Sequence, residues 1–331
     1  IGPGKGALTN LILKNKPNLR FLKSAVFSIS KKIKKGDHVM LRSTVPVGTS
    51  RNIVIGILEK HSNLIAGKDF FISFTPERTI EGNALYELRN LPQIIGGYSP
   101  GCTKTSADFW STITSKIIKV DTLEAAELVK LANNTFRDLS FAFSNELALK
   151  CSKNNINAFK LISAANDGYP RNKIPMPSPG VGGTCLTKDP ILYSSDFKGN
   201  ITKSLGIFGR SVNKQASKFV LKILNKFSKK KKKEISKMQI LIVGLTFKGE
   251  PDNYDLRESV PVEVSEIIKN KYKEIYLWDG VIKKRHNLIT NIISDKALKQ
   301  VTRKCDAILF LNNNKKNLKV IEFLSITRKQ L

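Results

Sequence analysis

Short apolar runs rich in β-branched residues alternate along this chain with stretches of helical periodicity, and that alternation limits its fold more than any other feature. His38–Ser43, Asp69–Phe74 and Gln93–Gly96 read as strands, as do Met238–Val243, Glu274–Trp278 and Ala307–Leu311. Residues 21–34, closed by Lys35-Gly36, and residues 50–59 read as helices. Strands that alternate with helices build parallel α/β sheets, and such sheets bind ligands at the carboxyl ends of their strands. Thr44 and Glu77 follow two of those ends, and Lys248 and Arg257 fall at a strand-to-helix crossing in the second half. A cationic pair at such a crossing suits a phosphate. Ser259 reads as the cap of the helix that follows, with Pro261 in its first turn.

The stretch from Thr122 to about Ser152 contains no glycine or proline and predicts one long helix. Lys130, Asn134 and Arg137 recur at i, i+4, i+7 and therefore share a face, with Asn145 further along. Leu128, Leu131, Phe136, Phe141 and Leu147 beside them read as packing residues. A stripe of this kind is either a solvated face or a set of polar groups that meet an anion or fixed partners.

Ser178-Pro179-Gly180-Val181-Gly182-Gly183-Thr184-Cys185-Leu186-Thr187-Lys188-Asp189-Pro190 carries the most chemistry. Its glycines let the backbone turn tightly and approach a ligand closely. A helix starting there would place Cys185 and Asp189 on one face and Cys185 in the first turn, where the helix dipole favours a thiolate. That is the layout of a cysteine nucleophile beside a carboxylate. The plainer alternative is a buried cysteine after an ordinary glycine turn.

Composition narrows the remaining classes. Cys102, Cys151, Cys185 and Cys305 are far apart with no Cys-x-x-Cys pair, which argues against zinc and a disulfide framework and for a reducing cytoplasm. There are only three histidines, two of them (His38 and His61) near the amino end, which argues against a histidine-based metal site, so no metal is expected. No apolar run is long enough to cross a membrane, and the first residues do not have the form of a signal peptide. The net charge of +29 would attract polyanions. Its lysines, however, are spread along the whole chain. The dense block Lys229–Lys233 reads as a linker or helix end, and no aromatic-rich groove for a single strand accompanies it. Nucleic acid is therefore not the expected partner. A basic surface equally suits a small phosphate-bearing substrate.

Taken in order, these segments resemble the UDP-sugar 6-dehydrogenase family over nearly the whole chain. The resemblance is carried by Ser43-Thr44-Val45-Pro46-Val47-Gly48-Thr49 and by Pro76-Glu77-Arg78 with Glu81-Gly82. It continues through Glu127–Arg137, Gly182-Gly183-Thr184-Cys185 with Lys188-Asp189, Gly244–Lys248, and Asp255–Ser259. It implies an α/β fold of two Rossmann-like parallel-sheet domains joined by a long central helix and a helical middle domain. The expected divisions are an NAD-binding domain over residues 1–118, a central domain over 119–228 and a UDP-binding domain over 229–331.

The resemblance also implies a chemistry: oxidation of a sugar C6 hydroxyl to a carboxylate in two steps, with NAD as cofactor. Cys185 would trap the aldehyde as a thiohemiacetal, and the derived thioester would be hydrolysed by a water held by Glu77 or Glu81. Lys130 would stabilise the oxyanion. Asn134 and Asp189 would position the hydroxyl and a water, with Asp189 a candidate proton acceptor. Thr44 would touch the nicotinamide end of the cofactor or that same water, with Glu77 and Glu81 beside it. Arg171, Lys248 and Arg257 would hold the UDP moiety and sugar, next to Gly182 and Gly183. A homodimer built on the central helix is implied, with Arg171 reaching the neighbouring subunit's site, and surface-glycan precursor synthesis is the family's usual setting.

Asn133–Asp138 with Asn145–Ala148 is similar to the branch acting on UDP-N-acetylhexosamines, where Arg137 would meet the groups around C2. Thr184 fits neither branch, since histidine is common at that position in the acetylhexosamine enzymes and serine in the glucose enzymes. UDP-N-acetylmannosamine, UDP-N-acetylglucosamine and a related sugar all stay open. The family's opening strand, Gly-x-Gly-x-x-Gly turn and helix are not present in this sequence: Gly2-Pro3-Gly4-Lys5-Gly6 is not that motif. The first domain is therefore expected to be truncated, the far end to stop early, and the chain alone to bind NAD poorly. A sugar-nucleotide-binding remnant without turnover is the alternative to an enzyme.

Overall fold

The computed structural model describes residues 17–80, 82–196, 204–269, 271–282, 289 and 291–328. These fall into two compact units, one of residues Ile1–Phe136 and Lys188–Phe208, the other of Arg137–Thr187 and Gly209–Leu331.

Among the described residues the first unit holds a sheet of four strands in the order β1 (His38–Leu41), β2 (Phe71–Phe74), β3 (Gln93–Gly97) and β4 (Ile117–Val120). Side chains alternate across it, as the strand period of two requires. Leu41, Ile72, Phe74 and Ile94 enter one core with Val54, Leu58 and Leu123. Met40 and Ile95 face the other way, against Ala107 and Trp110. A side chain as fully enclosed as Ile95 contributes on the order of 1.5–3 kcal/mol.

Helix α1 (Arg20–Ser30) adds Val26 to the first core. The helix expected over residues 50–59 opens as a π-helical turn, Ser50–Ile55, and continues as α2 (Gly56–Ser62), which ends on Asn63 in the left-handed conformation. After β2 come α3 (Ala84–Asn90), β3, and α4 (Pro100–Ser111), whose cap Ser99 accepts from the Cys102 N–H at 3.3 Å.

One pairing departs from the expected all-parallel sheet. β1 with β2 and β3 with β4 are parallel, but β2 and β3 run antiparallel, with Ser73 opposite Gly97 and Phe74 opposite Gly96. The segment between β2 and β3 delivers β3 beside β2 in reverse, so that connection is not a right-handed parallel crossover.

The long helix appears as α5 (Leu123–Lys153), followed by α6 (Ala158–Asn166), α7 (Thr184–Tyr193) and α8 (Leu205–Lys231). Leu131 is fully buried, as expected, but Leu128 and Phe136 are 40% and 73% exposed and are not core residues within the chain. The lysine block is a helix end: Lys229, Lys230 and Lys231 form the last turn of α8, and Lys232 has a positive φ.

The second unit's sheet is fully parallel, in the order β6 (Glu274–Trp278), β5 (Gln239–Val243), β7 (Ala307–Phe310). β5 is central and buried on both faces, which is why Ile240-Leu241-Ile242-Val243 reads as a continuous apolar run. Ile240 and Ile242 pack with Met238, Val264 and Ile268, while Leu241 and Val243 pack with Trp278, Leu298 and Val320. The crossings are α9 (Val260–Ile268) and α10 (Asp295–Lys304), and α11 (Lys319–Arg328) follows β7. Ser259 stands at the N-cap of α9, but its hydroxyl does not cap the helix. It donates instead to the Leu245 carbonyl at 2.5 Å, tying the helix start to the loop after β5.

Candidate functional site

In the first unit, β1 and β2 run parallel and end side by side, so the loops that leave them at Arg42–Thr44 and Thr75–Glu77 are neighbours. With Lys130 on α5 and Lys188 on α7 they line a cleft of about 410 Å³ made of Arg42, Ser43, Thr44, Glu77, Lys130 and Lys188. The positions inferred for Thr44, Glu77 and Lys130 therefore come together. Asn134, one turn after Lys130, donates from Nδ2 to Asp189 at 2.6 Å. Asp189 is fully buried and also paired with Lys188. The Asn134 end of the polar stripe thus meets a fixed partner rather than bulk water. Arg137 is exposed.

Glu77 has a second partner that sequence reasoning did not supply. Arg42 pairs with its carboxylate, lies 4.5 Å over the Trp110 ring and reaches Gln93 Oε1 at 3.4 Å. The Thr79 N–H donates to Glu77 at 2.8 Å. Burial pushes the Glu77 pKa up, but the Thr79 N–H and the Arg42 guanidinium outweigh it and hold the group at about 2. Glu77 is an anion at any working pH, suited to accept hydrogen bonds rather than to exchange protons near neutrality. Glu81 lies outside the described residues.

Glu127, one turn before Lys130 on α5, is almost fully buried and accepts the backbone N–H groups of Gly48 and Ser50 at 2.5 and 2.8 Å. It pins the loop carrying Thr44 to the helix carrying Lys130. Burial raises its pKa, against the opposing hydrogen bonds from Ser50 and Gly48. Neither Arg42 nor Glu127 was assigned a role from sequence. Their signals were there in a charge adjoining Ser43-Thr44 and a carboxylate three residues before Lys130.

In the second unit, α7 starts at Thr184 and places Cys185 in its first turn, exposed. The plainer reading of a buried cysteine does not hold. Lys188 and Asp189 continue the same helix, with Asp189 one turn beyond Cys185. The preceding glycines are there for want of room: a Cβ on Gly182 would run into the Glu258 carbonyl oxygen, and one on Gly183, whose φ is +84°, into the Phe247 ring. The Gly183 N–H donates to that Glu258 carbonyl at 3.0 Å. Gly182 and Gly183 are thereby joined to the loop after β5 that carries Lys248 and Arg257.

Lys248 lies 5.6 Å over Phe247, and its carbonyl is held by Thr246 Oγ1 and Asn253 Nδ2, both at 2.9 Å. The exposed Arg257 forks onto Asp255, with contacts from 2.7 to 3.1 Å. Arg171 is exposed, stacked 5.3 Å over Tyr169, and donates to the Tyr169 hydroxyl at 3.3 Å. Among the described residues, no group of three or more His, Cys, Asp or Glu is placed to hold a metal ion, and no helix is long and apolar enough to cross a membrane.

The chain is similar to known proteins over most of its length. Residues 9–114 match the NAD binding domain of the UDP-glucose/GDP-mannose dehydrogenase family, and residues 124–213 match the central domain of that family. The chain belongs to the UDP-glucose/GDP-mannose dehydrogenase family. It is 32% identical over 277 residues to a UDP-N-acetyl-D-mannosamine dehydrogenase of Pyrococcus horikoshii, an alignment covering 84% of this chain and 65% of that protein. It is 36% identical over 258 residues to a protein of the same name from Campylobacter jejuni, covering 76% and 61% respectively. The chain thus spans somewhat less than two thirds of the length of these curated relatives.

A solved structure of the UDP-D-ManNAc dehydrogenase from Pyrococcus horikoshii superposes with a TM-score of 0.84 at 31% identity, covering 95% of this chain and 72% of the other. The NDP-N-acetyl-D-galactosaminuronic acid dehydrogenase of Methanosarcina mazei gives 0.81 at 26% identity, covering 92% and 67%. The hydroxyls of Ser43 and Thr44 in that cleft are of the kind that hydrogen-bond a carboxamide such as that of NAD. No Gly-x-Gly-x-x-Gly stands in this sequence to cradle the pyrophosphate.

Proposed function

We propose that this chain supplies the catalytic machinery of an NAD-dependent oxidation of the C6 hydroxyl of a UDP-N-acetylhexosamine to the uronate. The observation that carries the reading is the convergence of Thr44, Glu77 and Lys130 on one cleft, with Asp189 held by Asn134 one helical turn beyond the exposed Cys185. NAD, when bound, would supply the hydride acceptor, one molecule for each of the two oxidations. Thr44 orients the nicotinamide carboxamide or the hydrolytic water. Asp189 takes the hydroxyl proton through an ordered water, with Asn134 fixing its carboxylate.

The Cys185 sulfur adds to the aldehyde carbon, forming a carbon–sulfur bond, and the carbonyl oxygen becomes the hydroxyl of a thiohemiacetal. Loss of a hydride from carbon and a proton from that hydroxyl leaves a thioester. Water adds to the thioester carbon, the carbon–sulfur bond breaks, and the carboxylate and free thiol result. Lys130 stabilises the negative oxygen at each tetrahedral stage, as a preorganised cation does where charge develops. Glu77, permanently ionised, holds the attacking water.

Lys248 and Arg257 would neutralise the diphosphate, Arg137 would face the C2 substituent, and Arg171 would act on a neighbouring subunit. The names of the relatives and the run Asn133–Asp138 support an acetylhexosamine over glucose. A homodimer built on α5 is part of the reading, supported by the exposure of Leu128, Phe136 and Phe143 on that helix. So is the division into an NAD-binding part (1–118), a central part (119–228) and a UDP-binding part (229–331). Cytoplasmic synthesis of surface-glycan precursors is the setting we infer.

The test is NADH formation with UDP-N-acetylmannosamine, UDP-N-acetylglucosamine and UDP-glucose in turn. Two NADH per molecule of one acetylated sugar supports the proposal. UDP binding without NADH from any sugar would favour a binding remnant instead.

A further inference from the structure

Four buried polar side chains in the second unit are used by none of the steps above. Asp138 on α5 is fully buried, and Asn145, two turns on, is 3% exposed. Arg210 and Asn213, one turn apart on α8, are 7% and 1% exposed. Arg210 Nη1 donates to Asp138 Oδ1 at 2.7 Å, and Nη1 and Nη2 both donate to the Val181 carbonyl at 3.2 Å. Asn213 Nδ2 donates to Asp138 Oδ1 at 2.8 Å and to the Asp138 carbonyl at 2.9 Å. Asn213 Oδ1 accepts from Asn145 Nδ2 at 3.0 Å, and Asn145 Oδ1 accepts the Ser178 N–H at 2.8 Å. The Ser178 hydroxyl closes on the Gly180 carbonyl at 2.6 Å.

A buried charge pair and two buried amides are costly to keep in a core unless their hydrogen bonds are met. These meet theirs with one another and on one short segment, Asp138 Oδ2 alone among their side-chain oxygens being without a partner. The Ser178 N–H and the Val181 carbonyl are both fixed by side chains of this network. Gly180 leaves no slack, since a Cβ there would sit 3.2 Å from the Val260 methyls and 3.3 Å from the Asn213 carbonyl oxygen. On the far side the Gly183 N–H is held by Glu258. Gly182 alone separates the two anchors, and α7 begins at the residue after Gly183.

The geometry points to Arg210, Asp138, Asn213 and Asn145 as positioning residues that set the path of Ser178–Val181 and so the placement of the first turn of α7 that presents Cys185. Their catalytic consequence rests on Cys185 being the nucleophile; their mechanical role does not.

The test is hydrogen exchange read by mass spectrometry, together with the rate at which iodoacetamide captures Cys185. It uses the full chain, Asn145→Ala, Arg210→Lys and, as a control on the exposed side of α8, Lys214→Ala. Asn145→Ala removes the acceptor of the Ser178 N–H without stranding a charge, so it keeps the test open should an Arg210 variant fail to fold. Exchange in the peptide spanning 178–187 is expected to rise about tenfold in Asn145→Ala. Peptides over β5, β6 and β7 should be unchanged, and the Cys185 capture rate should change with the local exchange. Arg210→Lys, which keeps a cation for Asp138 but loses the fork, is expected to fall between Asn145→Ala and the parent chain. Unchanged exchange over 178–187 in Asn145→Ala, or a rise spread evenly over all peptides, overturns the proposal. Both readouts are independent of turnover, so a chain that forms no NADH still decides between these outcomes. In a chain that does turn over, Arg210→Lys lowers kcat with KM unchanged.

Discussion

Asn134 donates a 2.6 Å hydrogen bond to Asp189, a carboxylate with no solvent exposure. One residue comes from the long helix and the other from the helix that starts beside Cys185. Together with the Lys188 pair, the contact gives each oxygen of that carboxyl group a fixed side-chain partner.

Asn134→Ala removes that donor and leaves a buried carboxylate oxygen unsatisfied, which costs about 1–3 kcal/mol. Urea unfolding should show the free energy of unfolding lowered by that amount, as a lower midpoint with an unchanged slope. Turnover should fall by more than stability does, because Asp189 is also freed to move. A variant of parental stability would mean that the bond contributes nothing to the fold.

Glu77 is held at about 2 against an ordinary value of 4.5. Its folded pKa is depressed, so the stability it contributes is present above about pH 4.5 and is lost as the pH falls through about 2. Arg42→Met removes the guanidinium and leaves burial opposed mainly by the Thr79 N–H. The Glu77 carboxyl resonance, followed by carbon NMR, should then titrate at higher pH than in the parent chain. An unmoved titration would show that Arg42 does not control the group.

Glu127 behaves with the opposite sign. Burial raises its pKa above 4.5, so its contribution is fully present below that value and is lost as the pH rises through the folded pKa. Glu127→Gln should remove this loss and flatten stability above about pH 4.5 while still accepting one of the two backbone N–H groups. Glu127→Ala strands both the Gly48 and Ser50 donors and should cost about 1–3 kcal/mol for each. Unfolding curves of the two variants between pH 4 and pH 8 separate these effects.

The cysteines should react in a set order. Cys102 and Cys151 are buried, and burial pushes the Cys305 thiol up to about 12, while Cys185 is exposed. Peptide mapping after brief treatment with iodoacetamide near neutral pH should find the label on Cys185 first. Labelling of Cys305 ahead of Cys185 would contradict the structure.

Much of the fold is legible in the sequence. The run Ile240–Val243 announces a central strand because burial on both faces leaves no polar position. The long helix follows from thirty-one residues free of glycine and proline. Thr44, Glu77, Lys130 and Asp189 could be named because each sits in a short segment with its own signature. The antiparallel turn from β2 to β3 was not legible, since it depends on the course of the connecting chain rather than on either strand.

The partners of the named residues were hidden for a related reason. Arg42 and Glu77 are 35 positions apart, Glu127 and Gly48 are 79 apart, and Arg210 and Asp138 are 72 apart. Periodicity reports which face a residue shares, not what that face meets. A usable clue was still present in Asp138, a carboxylate two turns from Asn145 on the same side of α5, which called for polar partners elsewhere.

The proposed chemistry turns on a covalent bond at Cys185. The most direct measurement is the mass of the Cys185 peptide from Glu77→Gln after mixing with NAD and UDP-N-acetylmannosamine, the variant chosen because it should slow thioester hydrolysis. This peptide alone is expected to gain the mass of the sugar-nucleotide acyl group, and Cys185→Ala to gain none. NADH formed at two per sugar with no adduct at Cys185, or formed equally well by Cys185→Ala, would contradict a covalent role for the cysteine.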